Sequence, residues 1–331
     1  MVARLPMPLY LDEQVQASAV APDVGRGTAV VVGNFDGVHR GHQALFERAV
    51  TLARDRGFVP VALTFDPHPS VVLGRTPPGA LTTMARKVEL IESLGAAHVF
   101  VRRFDLAFAA WTPDRFVEEL VAGQLFARVV VCGKNFRFGK DRGGDAEVLR
   151  AMGARLGFEA LTAEATDEKG PLSSTRARDA VAAGDLAEAE RILGRRHAIE
   201  GTVVRGDGRG RTIGFPTANV AARVLLPPNG VYAVVVDRVT SAGAESLAAG
   251  VMNIGVRPTV KDQGARTVEV HLFDIDRDLY DETLRAHLVT KLRDERRFSS
   301  LEALKAQIAV DAAEARSAIA HLGGMDNISP P

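Results

Sequence analysis

The stretch Val30-Val31-Val32-Gly33-Asn34-Phe35-Asp36-Gly37-Val38-His39-Arg40-Gly41-His42 decides how the first half of this chain is read. Three valines end at Gly33, which predicts a short buried strand running into a tight turn. Gly33, Gly37 and Gly41 let the backbone come close to a ligand. An amphipathic pattern then begins with Leu45, Ala49 and Leu52, so the order is strand, turn, helix. His39 and His42 stand where the new helix offers N–H groups to an anion. A glycine-rich βα turn with two incidental histidines is the plainer alternative, but such a turn does not by itself ask for H-x-G-H.

Composition narrows the classes. A chain of 331 residues predicts one to three domains, two being the natural reading. Hydrophobic content of 46% and charged content of 25% are those of a globular chain with a sizeable core. The 41 basic and 41 acidic residues cancel, which argues against nucleic acid or an anionic membrane as partner. Small molecules are the expected partners, with weak self-association left open. The single cysteine, Cys132, cannot form an internal disulfide and ends the apolar run Val129 to Val131. It reads as a buried structural thiol in a reducing cytoplasm. Leu5 to Leu11 is apolar but holds two prolines and leads into Asp12 and Glu13, a poor signal peptide. No apolar run approaches the roughly 18 residues of a membrane span.

From residue 28 to about 164, strand-like and helix-like stretches alternate. Strands are predicted at Val30–Val32, Val59–Phe65, His98–Val101 and Val129–Cys132. Helices are predicted at Gln43–Arg56, around Met84, Val88, Ile91 and Leu94, at Pro113–Val121 behind Thr112, and at Asp145–Leu156. This argues a mostly parallel sheet covered on both faces, with ligands beyond the carboxyl ends of its strands. The loops there carry unusual chemistry. Phe65-Asp66-Pro67-His68-Pro69 holds a histidine between two prolines. Gly133-Lys134-Asn135-Phe136-Arg137-Phe138-Gly139 offers aromatic and basic groups suited to a planar ring bearing a phosphate. Rigid turn and ordinary surface loop remain the plain alternatives. Ser173-Ser174-Thr175 reads as a helix cap, and with Arg178 as a triphosphate-holding set. Residues 179–194 read as one helix, and the domain boundary is placed near 185.

The second half reads as β. Strands are predicted at Ile199–Arg205, Ala218–Val220, Val231–Val236, Ala248–Ile254, Thr267–Ile275 and Leu284–Val289, giving a small barrel or sandwich. Ser299 and Glu302 form a capping-box pattern for a last helix, with Leu301, Leu304, Ile308, Ala312, Ala315 and Ile319 on its buried face. Gly206, Gly208, Gly210 and Gly214, interleaved with Arg205, Arg209 and Arg211, suit a phosphate cradle or a hairpin turn. Thr217 and Asn219 are two apart, so a strand puts both oxygens on one face, suitable for Mg²⁺ shared with phosphates and water. Along 267–273, Val268, Val270 and Leu272 form one face; Glu269, His271 and Phe273 form the other.

These segments together resemble a known family. Gly33 to His42 resembles the H-x-G-H signature of nucleotidylyltransferases, and in its longer form that of the bifunctional bacterial riboflavin kinase/FMN adenylyltransferase family, the FAD synthetases. T-F-D-P-H-P, F-x-F-G and S-S-T-x-x-R follow in matching order, Ala177 standing where isoleucine is usual. In the second half G-R-T-I-G-F-P-T-A-N, N-G-V-Y, Asn253-Ile254-Gly255 with Pro258-Thr259, and E-V-H-L resemble riboflavin kinase. Asp281 stands where the family usually has glycine, a change expected to alter one turn.

The resemblance implies an α/β nucleotidylyltransferase-like domain with a Rossmann-like parallel sheet over residues 1–185, and over 186–331 a small-barrel riboflavin kinase domain with a C-terminal helix. It implies phosphorylation of riboflavin to FMN, then joining of FMN to AMP from a second ATP to give FAD and pyrophosphate. In adenylyl transfer, ATP would meet Gly33, Asn34, Phe35, Asp36, Gly37, His39, His42, Ser173, Ser174, Thr175 and Arg178, with His39 and His42 catalytic. FMN would meet Asp66, His68, Asn135, Phe136 and Arg137. In the kinase, ATP and Mg²⁺ would meet Gly206, Gly210, Arg211, Thr217 and Asn219, the last two as metal ligands. Riboflavin would meet Asn253 and Glu269, the latter as general base. The alternatives are a nucleotidylyltransferase for another acceptor and a flavin-binding regulator; flavin products separate the three.

Overall fold

A strand whose five residues are all buried, β2 (Thr28–Val32), sits inside a six-stranded sheet. The computed structural model describes residues 9–11, 21–206, 210, 214–256 and 266–325. They form two units: one holds the described residues up to Pro78 together with Met84–Ser174, the other holds Gly79–Thr83 and Thr175 onward.

In the first unit the strands are β1 (Leu9–Leu11), β2, β3 (Val59–Asp66), β4 (His98–Arg103), β5 (Ala127–Gly133) and β6 (Glu159–Ala163), ordered β1-β4-β3-β2-β5-β6. Every pairing is parallel. Parallel sheets need cover on both faces, and β2 shows it. Val30 and Val32 pack with Phe100, Phe116 and Leu120, whereas Ala29 and Val31 pack with Phe46, Val88 and Ile91. Cys132 lies in the first of these cores, and burial pushes its thiol up to about 11. The helix Arg40–Arg56 is capped by His39 and stopped by Gly57 in the left-handed region. The helical stretch from Pro113 turns into a π-helix over Phe116–Gln124, longer than the predicted Pro113–Val121. Two strands escape the alternation pattern. β1 is three residues long, and β6 is only half-buried, so neither carries a clear period. A two-residue hairpin, β7 (Thr166–Asp167) with β8 (Gly170–Pro171), precedes Ser173.

The second unit is a closed antiparallel barrel of β9 (Ala198–Val204), β10 (Ala218–Ala222), β11 (Gly230–Thr240), β12 (Gly243–Val256), β13 (Arg266–Leu272) and β14 (Thr283–Arg293), ordered β10-β13-β12-β11-β14-β9. Val220, Tyr232, Val234, Met252, Val268 and Val270 share its interior core. The last helix, Leu301–His321, packs Ala315 and Ile319 over Val231, Ala233, Phe273 and Val235 on the outer surface. Several expectations need correction here. Residues 179–194 are not one helix: Gly184, at φ +77°, separates Ser174–Ala183 from Leu186–Leu193. The cap of the last helix is Ser300, whose hydroxyl accepts from Ala303 N–H, not Ser299. Leu301 is exposed, while Asp311 is buried and bound by the Arg293 guanidinium at 2.8 Å. β13 stops at Leu272, short of the predicted Ile275, and Phe273 beyond it is buried under the last helix. Asp281 adopts φ +64°, so the turn keeps the left-handed backbone a glycine would supply.

A buried charged row crosses the barrel wall. Glu200, Arg285 and Asp237 are register partners across β9, β14 and β11. All three are under a tenth exposed. Arg285 Nε donates to Glu200 Oε2 at 2.8 Å, Thr83 Oγ1 donates to Glu200 Oε1 at 2.5 Å, and His287 Nε2 lies 2.8 Å from Asp237 Oδ2. Removing the cation leaves Glu200 and Asp237 buried on either side of β14 without the positive charge between them. Arg285→Met should therefore cost the barrel about 3–5 kcal/mol, read from the denaturant midpoint. A shift below about 1 kcal/mol would show that solvent reaches the row.

Candidate functional site

In the first unit the strand order reverses at β2, with β3 on one side and β5 on the other. Such a reversal opens a crevice at the carboxyl ends of the strands. The cleft found there is lined from β2 by Val32, Gly33, Phe35, His39 and His42, from β5 by Gly133, Lys134, Asn135 and Phe136, and by Ala163, Glu164 and Ser173 beyond β6. Three of the separated sequence motifs meet in it.

The turn into the helix is built around close approaches. A Cβ on Gly33 would meet the Phe35 ring at 2.9 Å. One on Gly41 would meet the Leu172 carbonyl oxygen at 2.8 Å, so this glycine lets the helix start press against the chain just before Ser173. Phe35, Gly37 and Val38 all have positive φ, at 49°, 79° and 39°. For a β-branched residue such as Val38 that conformation is strained, and strain of this kind gathers at ligand-holding turns. Ser174 Oγ donates to the Asp36 carbonyl oxygen at 2.9 Å, tying the turn to the last residue of its own unit.

The two imidazoles stack with centroids 3.6 Å apart, and Phe35 meets His42 edge-on at 5.3 Å. His39 is buried, and its Nδ1 accepts from the His42 backbone N–H at 3.3 Å. A neutral ring accepting at Nδ1 carries its proton on Nε2. The cap therefore selects the tautomer that can donate from Nε2.

The neighbouring loops are held in related ways. His68 Nδ1 accepts from Ser70 N–H at 3.2 Å, and its Nε2 lies 3.5 Å from the Asn34 amide, so the second loop touches the first. Asp66 ends β3. In the third loop Asn135 and Arg137 are exposed, and Phe136 stacks on buried Phe138 at 5.4 Å. Gly144 has no room for a side chain, because a Cβ would meet the Phe138 ring at 2.5 Å. Thr175 and Arg178 belong to the second unit, where Arg178 Nε donates to the Gly79 carbonyl oxygen at 2.9 Å.

Sequence reasoning passes over Lys87. It lies on the Met84–Ser93 helix, is only 7% exposed, and interacts electrostatically with Asp36 and Asp66, one from each of the first two loops. Burial pushes its ammonium below the ordinary lysine range, opposed by those two carboxylates. A charge at a position whose helical neighbours Val88 and Ile91 are fully buried was the available signal.

In the second unit one row of register partners gathers the predicted kinase residues. Asn219 on β10 pairs with Glu269 on β13, which pairs with Asn253 on β12. Directly opposed residues share a face. All three are half-buried, while Val268 and Val270 on either side of Glu269 point into the barrel core. The site therefore lies on the outer face of the wall, not in the barrel interior. Gly206 packs against this row: a Cβ there would fall 2.1 Å from Asn219 Nδ2. A Cβ on Gly210 would meet the Phe215 carbonyl oxygen at 2.4 Å and Thr217 Oγ1 at 3.1 Å. Arg211, Gly208, Arg209, Pro258 and Thr259 lie outside the described residues. Among the described residues no group of three His, Cys, Asp or Glu could hold a metal ion by itself.

Comparison with known proteins covers both units. The family model described as FAD synthetase matches residues 21–176, and that described as riboflavin kinase matches residues 193–319. The bifunctional riboflavin kinase/FMN adenylyltransferase of Escherichia coli K12 is 42% identical over 294 residues, 88% of this chain and 92% of that protein. Its Bacillus subtilis counterpart is 34% identical over 317 residues, 93% of this chain and 95% of that protein. A solved structure from Streptococcus pneumoniae, described as a macrolide-efflux protein, has a TM-score of 0.78 at 29% identity, covering 94% of this chain and 99% of that one. Among the described residues no helix is long and apolar enough to cross a membrane. With two family models end to end and identity of this extent along the chain, the protein belongs to the bifunctional riboflavin kinase/FMN adenylyltransferase family.

Proposed function

We infer that this chain makes FAD from riboflavin in two ATP-dependent steps, with adenylyl transfer assigned to residues 1–185 and the kinase to residues 186–331. The observation that carries the reading is the assembly of the separated motifs into two sites: the cleft at the β2 reversal and the Asn219–Glu269–Asn253 row.

In the kinase step a ribityl hydroxyl attacks the terminal phosphorus of ATP and ADP leaves. The hydroxyl is a poor nucleophile, so a carboxylate that takes its proton helps, and Glu269 is assigned that role. Asn253, its register partner on β12, is assigned to orient riboflavin. Thr217 and Asn219 offer neutral oxygens only, a donor set that suits Mg²⁺ held chiefly by nucleotide phosphates and water. Bound there, the ion would draw negative charge off the phosphates. Gly206, Gly210 and Arg211 are assigned to the nucleotide.

In the second step an FMN phosphate oxygen attacks the α-phosphorus of another ATP, and the bond to pyrophosphate breaks. The nucleophile is already an anion, so no base is required; stabilising charge at the α-phosphate is the main task. His39 and His42, at a helix start and stacked on one another, are assigned that role with Ser173, Ser174, Thr175 and Arg178. Gly33, Asn34, Phe35, Asp36 and Gly37 shape the nucleotide's bed. Asp66, His68, Asn135, Phe136 and Arg137 receive FMN. The cytoplasm, where all these substrates meet, is the assigned compartment.

The first test is incubation with riboflavin, ATP and Mg²⁺ followed by separation of flavins; both FMN and FAD should accumulate. Adenylation of some other acceptor with no flavin product would overturn the reading. His42→Ala should slow FAD formation from FMN by about 10²–10³-fold, the scale of losing one transition-state donor, and leave FMN formation intact. Near-normal adenylation by that variant would reduce His42 to a packing residue. Glu269→Gln should lower kinase turnover by about 10²–10⁴-fold with riboflavin affinity little changed. Unaltered turnover would refute the base assignment, and equal loss of both activities would indicate a folding defect.

A further inference from the structure

His271 has no part in the two steps as derived, yet it is one of the more constrained side chains near Glu269. The two residues are separated by one position on β13, on the same outward face, about 7 Å apart along the strand. His271 Nδ1 lies 2.8 Å from the Pro216 carbonyl oxygen. A carbonyl can only accept, so Nδ1 carries the proton. The ring is set between two aromatic edges, Phe215 at 5.4 Å and 78° and Phe273 at 5.9 Å and 74°. Phe273 is itself buried, so one wall of this slot is rigid.

What the imidazole holds is the approach to Thr217. The β10 ladder begins only at Ala218, paired with Val270. Pro216 has no N–H to contribute, and Thr217 is exposed. The segment presenting the Thr217 hydroxyl therefore stands outside the ladder, and the side chain of His271 provides a tether for it from the next strand. We propose that His271 is a positioning residue of the kinase: through its Nδ1–H bond to Pro216 it sets where Thr217 and Asn219 meet the nucleotide phosphates. This rests on reading the barrel as the kinase. The Nδ1 proton is present in the neutral tautomer and in the cation alike, so the tether does not depend on the charge of the ring. Because His271 is only half-buried, water can satisfy the Pro216 carbonyl when the imidazole is lost. The consequence falls on alignment at the phosphates more than on folding.

The test compares His271→Asn, His271→Gln and His271→Leu in the full chain. The asparagine amide nitrogen falls near the position of Nδ1; the glutamine amide reaches one bond further. FMN formation is measured with ATP and Mg²⁺ varied, and ADP binding with and without Mg²⁺ is measured by calorimetry. The leucine and glutamine variants should lose about 10–100-fold in kcat/KM for ATP, the range expected for a misplacement of about 1 Å, with riboflavin KM little changed. They should also lose most of the Mg²⁺-dependent gain in ADP affinity, and the asparagine variant should recover both. FAD formation from supplied FMN and the melting profile report on folding. Wild-type ATP and Mg²⁺ behaviour in the leucine and glutamine variants would overturn the proposal, as would a well-folded asparagine variant no better than leucine. Wild-type protein that forms no FMN at all would instead overturn the kinase reading, and the tether's role with it.

Discussion

The first unit depends on a strand that has water on neither face. Because all five residues of β2 are buried, the chain can deliver ligand-binding groups only where the strand ends. The flanking parallel strands end on the same side, which is why loops far apart in sequence come to share one cleft. The glycines near His39 follow from the same constraint. Gly41 exists as glycine because the Leu172 carbonyl comes too close for any Cβ. The helix start, the strained turn and the serine segment are thus parts of one packing solution, with the stacked histidines at its centre.

The barrel solves a different problem. A closed antiparallel wall divides its residues by parity, with an apolar interior and an outer face that is apolar where the last helix covers it. The outer positions are where polar chemistry can be held, and register then decides which groups meet. The Asn219–Glu269–Asn253 row and the Glu200–Arg285–Asp237 row use the same device for different ends. In the first, half-exposed groups are available to a ligand; in the second, buried charges satisfy one another and hold the wall.

The parts legible in the sequence were those with a local signature. Val30–Val32 running into H-x-G-H marked strand, turn and helix, and the alternation around Glu269 marked both faces of β13. The missed parts are the ones whose cause lies elsewhere in the chain. β1 exists because Leu9–Leu11 pairs with Phe100–Arg102, which no pattern in three residues could reveal. Lys87 looks like an ordinary surface charge until its burial, and the fields of Asp36 and Asp66 acting on it, are known. Ser299, three residues before Glu302, is the better cap on paper, and the backbone geometry gives the role to Ser300 instead. The sequence places His271 on the face of Glu269 but does not show its tether, because its partner Pro216 is 55 residues away.

The short segment Gly79–Thr83 has a bearing on how the protein is made. These five residues are synthesised among the first strands but pack with the second unit. Ala80 waits for Leu225 as its backbone partner, and Thr83 for Glu200, 117 residues later. As the chain leaves the ribosome, the first sheet can gather its strands by Ala163 while this segment still lacks its partners. Contacts between residues so distant in sequence form late, since a long loop must close first. A ribosome stalled between these points would display a largely assembled α/β sheet whose connection still lacks its partners.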